Sequence, residues 1–196
     1  MSGIKQNMGS ATAKPKGSRL KKTVVMVGMM GAGKTAVGRA LAARLDVPFV
    51  DSDAEIEAAA NRTIPEIFAR DGEQFFRDKE SRVIARLLDE EPGILSTGGG
   101  AFLAERNRTR ITQRGVSVCL VAEPDVLWNR VRHKDTRPLL RSRDPKGTLN
   151  QLYHERMPIY ALADLKVVSD GEASIDAMVD RVLVALSTRP DVLTED

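Results

Sequence analysis

One cysteine and two histidines in 196 residues leave no material for a disulfide framework or a Cys/His metal cluster. Cys119 stands in the apolar run Val116–Val121 and reads as strand core, while His133 and His154 lie apart and read as surface groups. Aromatic residues are 4% of the chain, too few for the base-stacking platform of an RNA-binding surface, and Trp128 reads as packing. Nowhere does the chain approach the ~18 consecutive apolar residues of a bilayer span. Residues 1–22 also lack the apolar core of a secretion signal, so a cytoplasmic protein without membrane contact is expected. The same stretch has no acid but six basic residues (Lys5, Lys14, Lys16, Arg19, Lys21, Lys22). Of the 30 basic and 27 acidic residues, 24 basic and all 27 acidic ones therefore lie beyond it. The net charge of +3 and the pI near 9.1 belong to that segment, and a global nucleic-acid footprint is not expected.

What is present is an ordinary globular composition, 42% hydrophobic and 29% charged, with no visible linker to a second domain. A single domain over 23–187 is expected, preceded by a disordered basic tail (1–22) and followed by a fraying end (188–196). Thr23–Gly28 (TVVMVG) is a β-branched apolar run, the turn Met29–Gly33 follows, and Lys34–Arg44 is helical in pattern. Pro48–Asp51 reads as a second strand, followed by a polar helical stretch from Asp53. Thr63, Pro65 and Glu66 form a capping box and first turn, and Gln74–Asp89 reads as a long helix with Phe75, Val83, Ile84, Leu87 and Leu88 on its apolar stripe. Ile94–Thr97 is a third strand running into Gly98-Gly99-Gly100. A helix over Arg106–Gln113 leads to a fourth strand, Val116–Val121, and Glu123-Pro124 opens another helix. Polar and basic residues from His133 to Lys146, with Pro138 and Pro145, read as a mobile lid over about 132–146. Beyond it come a helix (Thr148–Tyr160), a fifth strand (Leu165–Ser169) and a helix capped by Ser174 and running to Leu186. Strands alternating with helices predict a three-layer α/β fold, a central five-stranded parallel sheet with helices on both faces. Ligands of such sheets bind beyond the carboxyl ends of the strands, where the first three strands here carry glycines and aspartates.

Gly28-Met29-Met30-Gly31-Ala32-Gly33-Lys34-Thr35 fits the phosphate-binding loop G-x-x-x-x-G-K-[ST] in its required strand–loop–helix setting. Backbone N–H groups of Gly31, Ala32, Gly33, Lys34, Thr35 and Ala36 are placed to cradle nucleotide phosphates at a helix N-terminus. Lys34 would reach the β- and γ-phosphates, and the Thr35 hydroxyl would bind Mg²⁺. No Asn-Lys-x-Asp signature is present, which favours ATP over GTP. The third strand ends in Ser96-Thr97-Gly98 with no acid, leaving Asp51 to hold magnesium through water. For Asp53 two readings stand side by side: a general base for a hydroxyl acceptor, and a helix N-cap. On an extended Asp51-Ser52-Asp53 segment the two carboxylates would point the same way. Arg77 and Arg156 sit beside apolar neighbours and are candidate anion ligands. Arg137, inside the expected lid, is a candidate to close over phosphates. Gly98, Gly99 and Gly100 allow backbone to approach a ligand closely.

These residues resemble shikimate kinases, of the nucleoside monophosphate kinase structural group, from about Val24 to Leu186. The resemblance rests on GMMGAGKT (28–35), DSD (51–53), GEQFFR (72–77), TGGGA (97–101), RPLL (137–140) and RMPIY (156–160), in family order. It implies ATP-dependent phosphorylation of the shikimate 3-hydroxyl, with ATP and Mg²⁺ at the glycine loop and an acceptor-binding region over about 52–80. It further implies that Asp53 binds the shikimate hydroxyls, that Arg77 and Arg156 hold its carboxylate, and that Gly98, Gly99 and Gly100 line the same pocket. Arg137 is then expected on the phosphates and Arg130 on adenine, in a monomer that takes a small-molecule substrate and no nucleic acid. The alternatives are a related kinase acting on gluconate or a nucleoside monophosphate and, from another class, a nucleotide-dependent switch or RNA-binding protein.

Overall fold

The computed structural model describes residues 18–133 and 142–194. Arg137, most of the expected lid and residues 1–17 lie outside the described residues. Five parallel strands form the central sheet: β2 (Thr23–Val27), β3 (Phe49–Asp51), β4 (Ile94–Ser96), β5 (Gly115–Ala122) and β6 (Leu165–Ser169), in spatial order β3-β4-β2-β5-β6. All of β2 and nearly all of β5 are buried, as a parallel strand covered on both faces must be. The expected fold class is therefore the observed one.

Connection geometry decides where the helices go. From β2 the chain passes through α1 (Lys34–Leu45) to β3, moving outward across the sheet. It returns through α2 (Ser52–Ala60) and α3 (Ile64–Leu88) to β4, then through α4 (Glu105–Arg114) to β5 and through α5 (Pro124–Val131) and α6 (Pro145–Tyr160) to β6. Right-handed crossovers in opposite directions must use opposite faces. Accordingly α1 packs with the last helix, α7 (Ile175–Ser187), while α3 packs with α4 and α5 with α6. The direction reverses between β2 and β4, opening a crevice at their carboxyl ends. Register pairs Met26 with Ser96 and Ser96 with Asp51, which brings the three strand ends that carry the candidate residues level with one another.

Four boundaries differ from expectation. Helix α2 starts at Ser52, capped by Asp51, so Asp51 and Asp53 do not lie on extended chain. Gly72, at φ 84° and ψ 171°, breaks α3 and resets its phase. Phe76 is therefore buried, tilted against Phe68, while Phe75 is exposed beneath Lys79. Helix α6 begins at Pro145, where proline's missing N–H costs nothing, and Asp144 accepts from Gly147 N–H, so residues 145 and 146 of the expected lid are helical. At the ends, β1 (Arg19–Leu20) pairs antiparallel with β7 (Leu193–Thr194), Lys22 meets Asp191 at 2.8 Å, and Leu20, Val192 and Leu193 are buried. Residues 19–20 and 193–194, expected in the basic tail and the fraying end, are thus paired as strands.

Candidate active site

The loop after β2 turns through Gly28, Gly31 and Gly33, all at positive φ, and Gly33 precedes α1 without any side-chain cap. The first backbone N–H groups of α1 therefore face the crevice unclaimed by a capping side chain, the arrangement that receives an anion. Lys34 folds over the loop, its Nζ donating to Gly28 O at 2.8 Å and Met29 O at 3.0 Å.

Three oxygens meet at the next residue, Thr35. Thr35 Oγ1 donates to Asp51 Oδ2 at 3.3 Å and lies 3.3 Å from Ser96 Oγ. The donors are hard and include one carboxylate, and no group of three or more His, Cys, Asp or Glu residues gathers among the described residues. That set fits Mg²⁺, which keeps several of its waters and needs few protein oxygens. Thr35 would hold the ion and Asp51 its water, with Ser96 beside them. The other Asp51 oxygen is occupied as the cap of α2, accepting from Asp53 N–H at 3.0 Å and Ala54 N–H at 3.3 Å. The N-cap role left open for Asp53 thus belongs to Asp51, and the Asp53 carboxylate stands in the first turn of α2.

The turn after β4 explains the glycine triplet residue by residue. A Cβ at Gly98 would sit 2.7 Å from Asp53 Oδ1, and one at Gly100 would sit 2.5 Å from Arg77 Nη1. Any side chain at either position would displace the carboxylate or the guanidinium. A Cβ at Gly99 would meet Arg156 Nη1 and Tyr160 Oη, each at 3.8 Å, and the Tyr160 hydroxyl donates to Gly99 O. Arg77 Nη1 donates to Glu80 Oε2 at 2.9 Å, with Glu73 beyond it at 3.4 Å and the Phe76 ring under the guanidinium. Glu80 is almost wholly buried, and burial pushes its pKa up against the pull of Arg77, with the Asp53 charge adding to the rise. Burial also opposes the Arg77 charge, but Glu80 and Glu73 outweigh it and hold the guanidinium pKa above its usual value. A cation is thereby fixed at the same glycine turn that accommodates the Asp53 carboxylate.

A cavity of about 600 Å³ is lined by the loop, Asp51, Asp53, Gly98 and Gly99 together with Ser169 and Met178. Arg130, also in its wall, donates to Gly31 O at 3.1 Å and Ser169 Oγ at 3.0 Å. The structure therefore brings Lys34, Thr35, Asp51, Asp53, Gly98, Gly99 and Arg130 to one cavity, with Arg77 and Arg156 at the glycine turn; Arg137 lies outside the described residues. Ser96, Glu80 and Tyr160 are not singled out by the sequence. The sequence does mark their places, Ser96 at the end of the third strand, Glu80 three residues after Arg77 and Tyr160 at the end of RMPIY, four residues after Arg156, without assigning them a role.

An uncapped helix start suits phosphates, and a carboxylate and two arginines gathered at one glycine turn suit a small acceptor bearing both hydroxyls and an acid group. Fold and site together define a P-loop small-molecule kinase. The family model "Shikimate kinase" matches residues 30–187. Shikimate kinase of Ruegeria pomeroyi is 73% identical over 174 residues, covering 89% of each chain, and that of Cereibacter sphaeroides is 67% identical over 179 residues, covering 91% of this chain and 89% of the relative. The solved shikimate kinase from Acinetobacter baumannii, in complex with shikimate, superposes with a TM-score of 0.80 at 36% identity, covering 86% of this chain and 94% of its own. The chain belongs to the shikimate kinase family.

Proposed function

We propose that this chain transfers the γ-phosphoryl group of ATP to the 3-hydroxyl of shikimate, with Asp53 as the base that accepts the hydroxyl proton. One observation carries the assignment of roles: Gly98 and Gly100 have no side chain where Asp53 and Arg77 stand, so a base and an anion-binding fork share one turn. The hydroxyl oxygen forms a bond to the γ-phosphorus as the bond to the β-phosphate oxygen breaks. ADP leaves and the proton passes to Asp53. Arg77, pre-aimed by Glu80, and Arg156 hold the acceptor carboxylate, and the backbone of Gly98, Gly99 and Gly100 lines its pocket. Lys34 leaves its loop carbonyls for the β- and γ-phosphates, whose developing charge it stabilises together with the N–H groups of Gly31–Ala36. Arg130 lies against adenine and Arg137 meets the phosphates. Magnesium, when bound at Thr35 and through water at Asp51, supplies further neutralisation of phosphate charge.

ADP release coupled to an NADH readout tests this with shikimate, gluconate, AMP and RNA as alternative additions. Release that depends on shikimate is expected. Equal or faster release with gluconate or AMP would overturn the assignment of the acceptor.

A further inference from the structure

Tyr160 ends α6 and is fully buried, its ring lying nearly parallel to Phe102 with centroids 6.5 Å apart. A phenol so placed needs a partner for its hydroxyl, because a buried polar group without one is costly. The partner is not on its own helix. The hydroxyl reaches across to the turn after β4 and donates to Gly99 O, the middle residue of the triplet whose neighbours accommodate Asp53 and Arg77.

The Arg156 guanidinium, one helical turn earlier on α6, comes to the same glycine: its Nη1 and the Tyr160 Oη each lie 3.8 Å from where a Gly99 Cβ would stand. A hydroxyl has one proton and two lone pairs. The proton serves the Gly99 carbonyl, and a lone pair is left toward the cationic side chain. Burial raises the phenol pKa to about 12 against the opposing pull of Arg156 and Arg77, so the proton stays in place at any neutral or moderately alkaline pH. One oxygen thus joins two halves of the acceptor pocket that come from distant parts of the chain.

We propose that Tyr160 is a positioning residue for the acceptor: its hydroxyl holds the Gly99 carbonyl and the Arg156 guanidinium in fixed relation, keeping the 98–100 turn matched to Asp53 on one side and to the carboxylate-binding arginines on the other. The proposal rests on the shikimate reading of the site. It assigns to Tyr160 no contact with the reacting atoms. Loss of the hydroxyl frees the Gly99 peptide to turn and leaves its oxygen without this donor, which loosens the acceptor pocket while the phosphate loop, built on β2 and α1, keeps its own bonds.

Tyr160→Phe removes the oxygen and retains the ring against Phe102. Calorimetric titration of the full chain with shikimate and, separately, with ATP gives the primary readout. Shikimate Kd and KM should rise about tenfold, the scale of a buried carbonyl losing its donor. ATP Kd should move less than twofold. Phe102→Leu is the control for packing, expected to lower Tm while leaving the ratio of shikimate to ATP affinity as in the parent. A folded Tyr160→Phe protein with unchanged shikimate Kd, equal losses for both ligands, or the same selective loss in Phe102→Leu would each overturn the positioning role. A parent chain that bound no shikimate would instead overturn the functional reading, and the proposal with it.

Discussion

Asp53→Asn separates chemistry from architecture, because the structure gives the capping role to a neighbour. Both cap bonds of α2 end on Asp51 Oδ1, and the substitution touches neither. Asparagine has the shape of aspartate and fits the space that Gly98 leaves. Among the electrostatic changes that remain, two oppose each other. A negative charge in the first turn of a helix contributes roughly 0.3–1 kcal/mol, which is lost. Buried Glu80 is meanwhile relieved of a like charge, the one that helps to raise its pKa. The net change in stability should stay within about 1 kcal/mol, or roughly 2–4 °C in Tm for a chain of this size. Activity should respond on another scale, since general-base help typically contributes about 10²–10⁴-fold, equivalent to roughly 3–5 kcal/mol of barrier. Saturating kcat from the coupled assay and Tm from differential scanning fluorimetry, on one preparation, give the two numbers. A protein that melts like the parent and loses less than about tenfold in kcat would refute Asp53 as the base.

Lys34→Ala should reduce kcat by at least about a hundredfold with Tm nearly unchanged, since its described bonds run to loop carbonyls and its catalytic work is on phosphate charge; near-normal turnover would refute the assignment. Arg77→Lys should raise shikimate Kd about tenfold and leave ATP Kd within twofold, because a point charge replaces a planar fork; titrations with the two ligands decide it, and equal losses count against the role. Gly100→Ala should cost shikimate affinity more than ATP affinity, because the new methyl occupies the place of the Arg77 guanidinium; unaltered shikimate binding would show that the guanidinium can stand elsewhere. Removing residues 1–22 should lower Tm by roughly 3–12 °C, the effect of unburying one leucine, Leu20, with its strand partner; a Tm within 1–2 °C of the parent would refute a stabilising role for the β1–β7 ribbon.

The readable parts of this protein are those whose cause is local. The phosphate loop is eight consecutive residues with a strand before and a helix after, and Thr63 with Glu66 caps α3 by the bonds their spacing implies. Strands β2 and β5 show as nearly continuous apolar runs, interrupted in β5 by Ser117, because both faces are covered. Where two adjacent residues compete for one role, pattern alone does not choose. Asp51 and Asp53 both suit a cap, and only the turn at Ser52 decides between them. Phe75 and Phe76 both suit an apolar stripe until Gly72 resets the helical phase. Contacts between distant segments leave no periodic mark. Leu20 finds Leu193 across more than 170 positions, Ser96 meets Thr35 only because β4 lies beside β2, and Tyr160 reaches Gly99 from a helix beyond the segment 134–141. Glu80 reads as one more exposed helical acid until the packing of α3 buries it against Arg77.

The position of the transferred phosphate is the most direct measure of the whole account. Phosphorus and proton NMR of a single incubation of the full chain with ATP, magnesium and shikimate reports both the phosphorylated oxygen and the nucleotide product. One ADP for each shikimate esterified, with phosphorus coupled to the proton at carbon 3 alone, is the expected outcome. Free phosphate without ester, or an ester at another hydroxyl, would contradict the placement of Asp53 opposite the γ-phosphate.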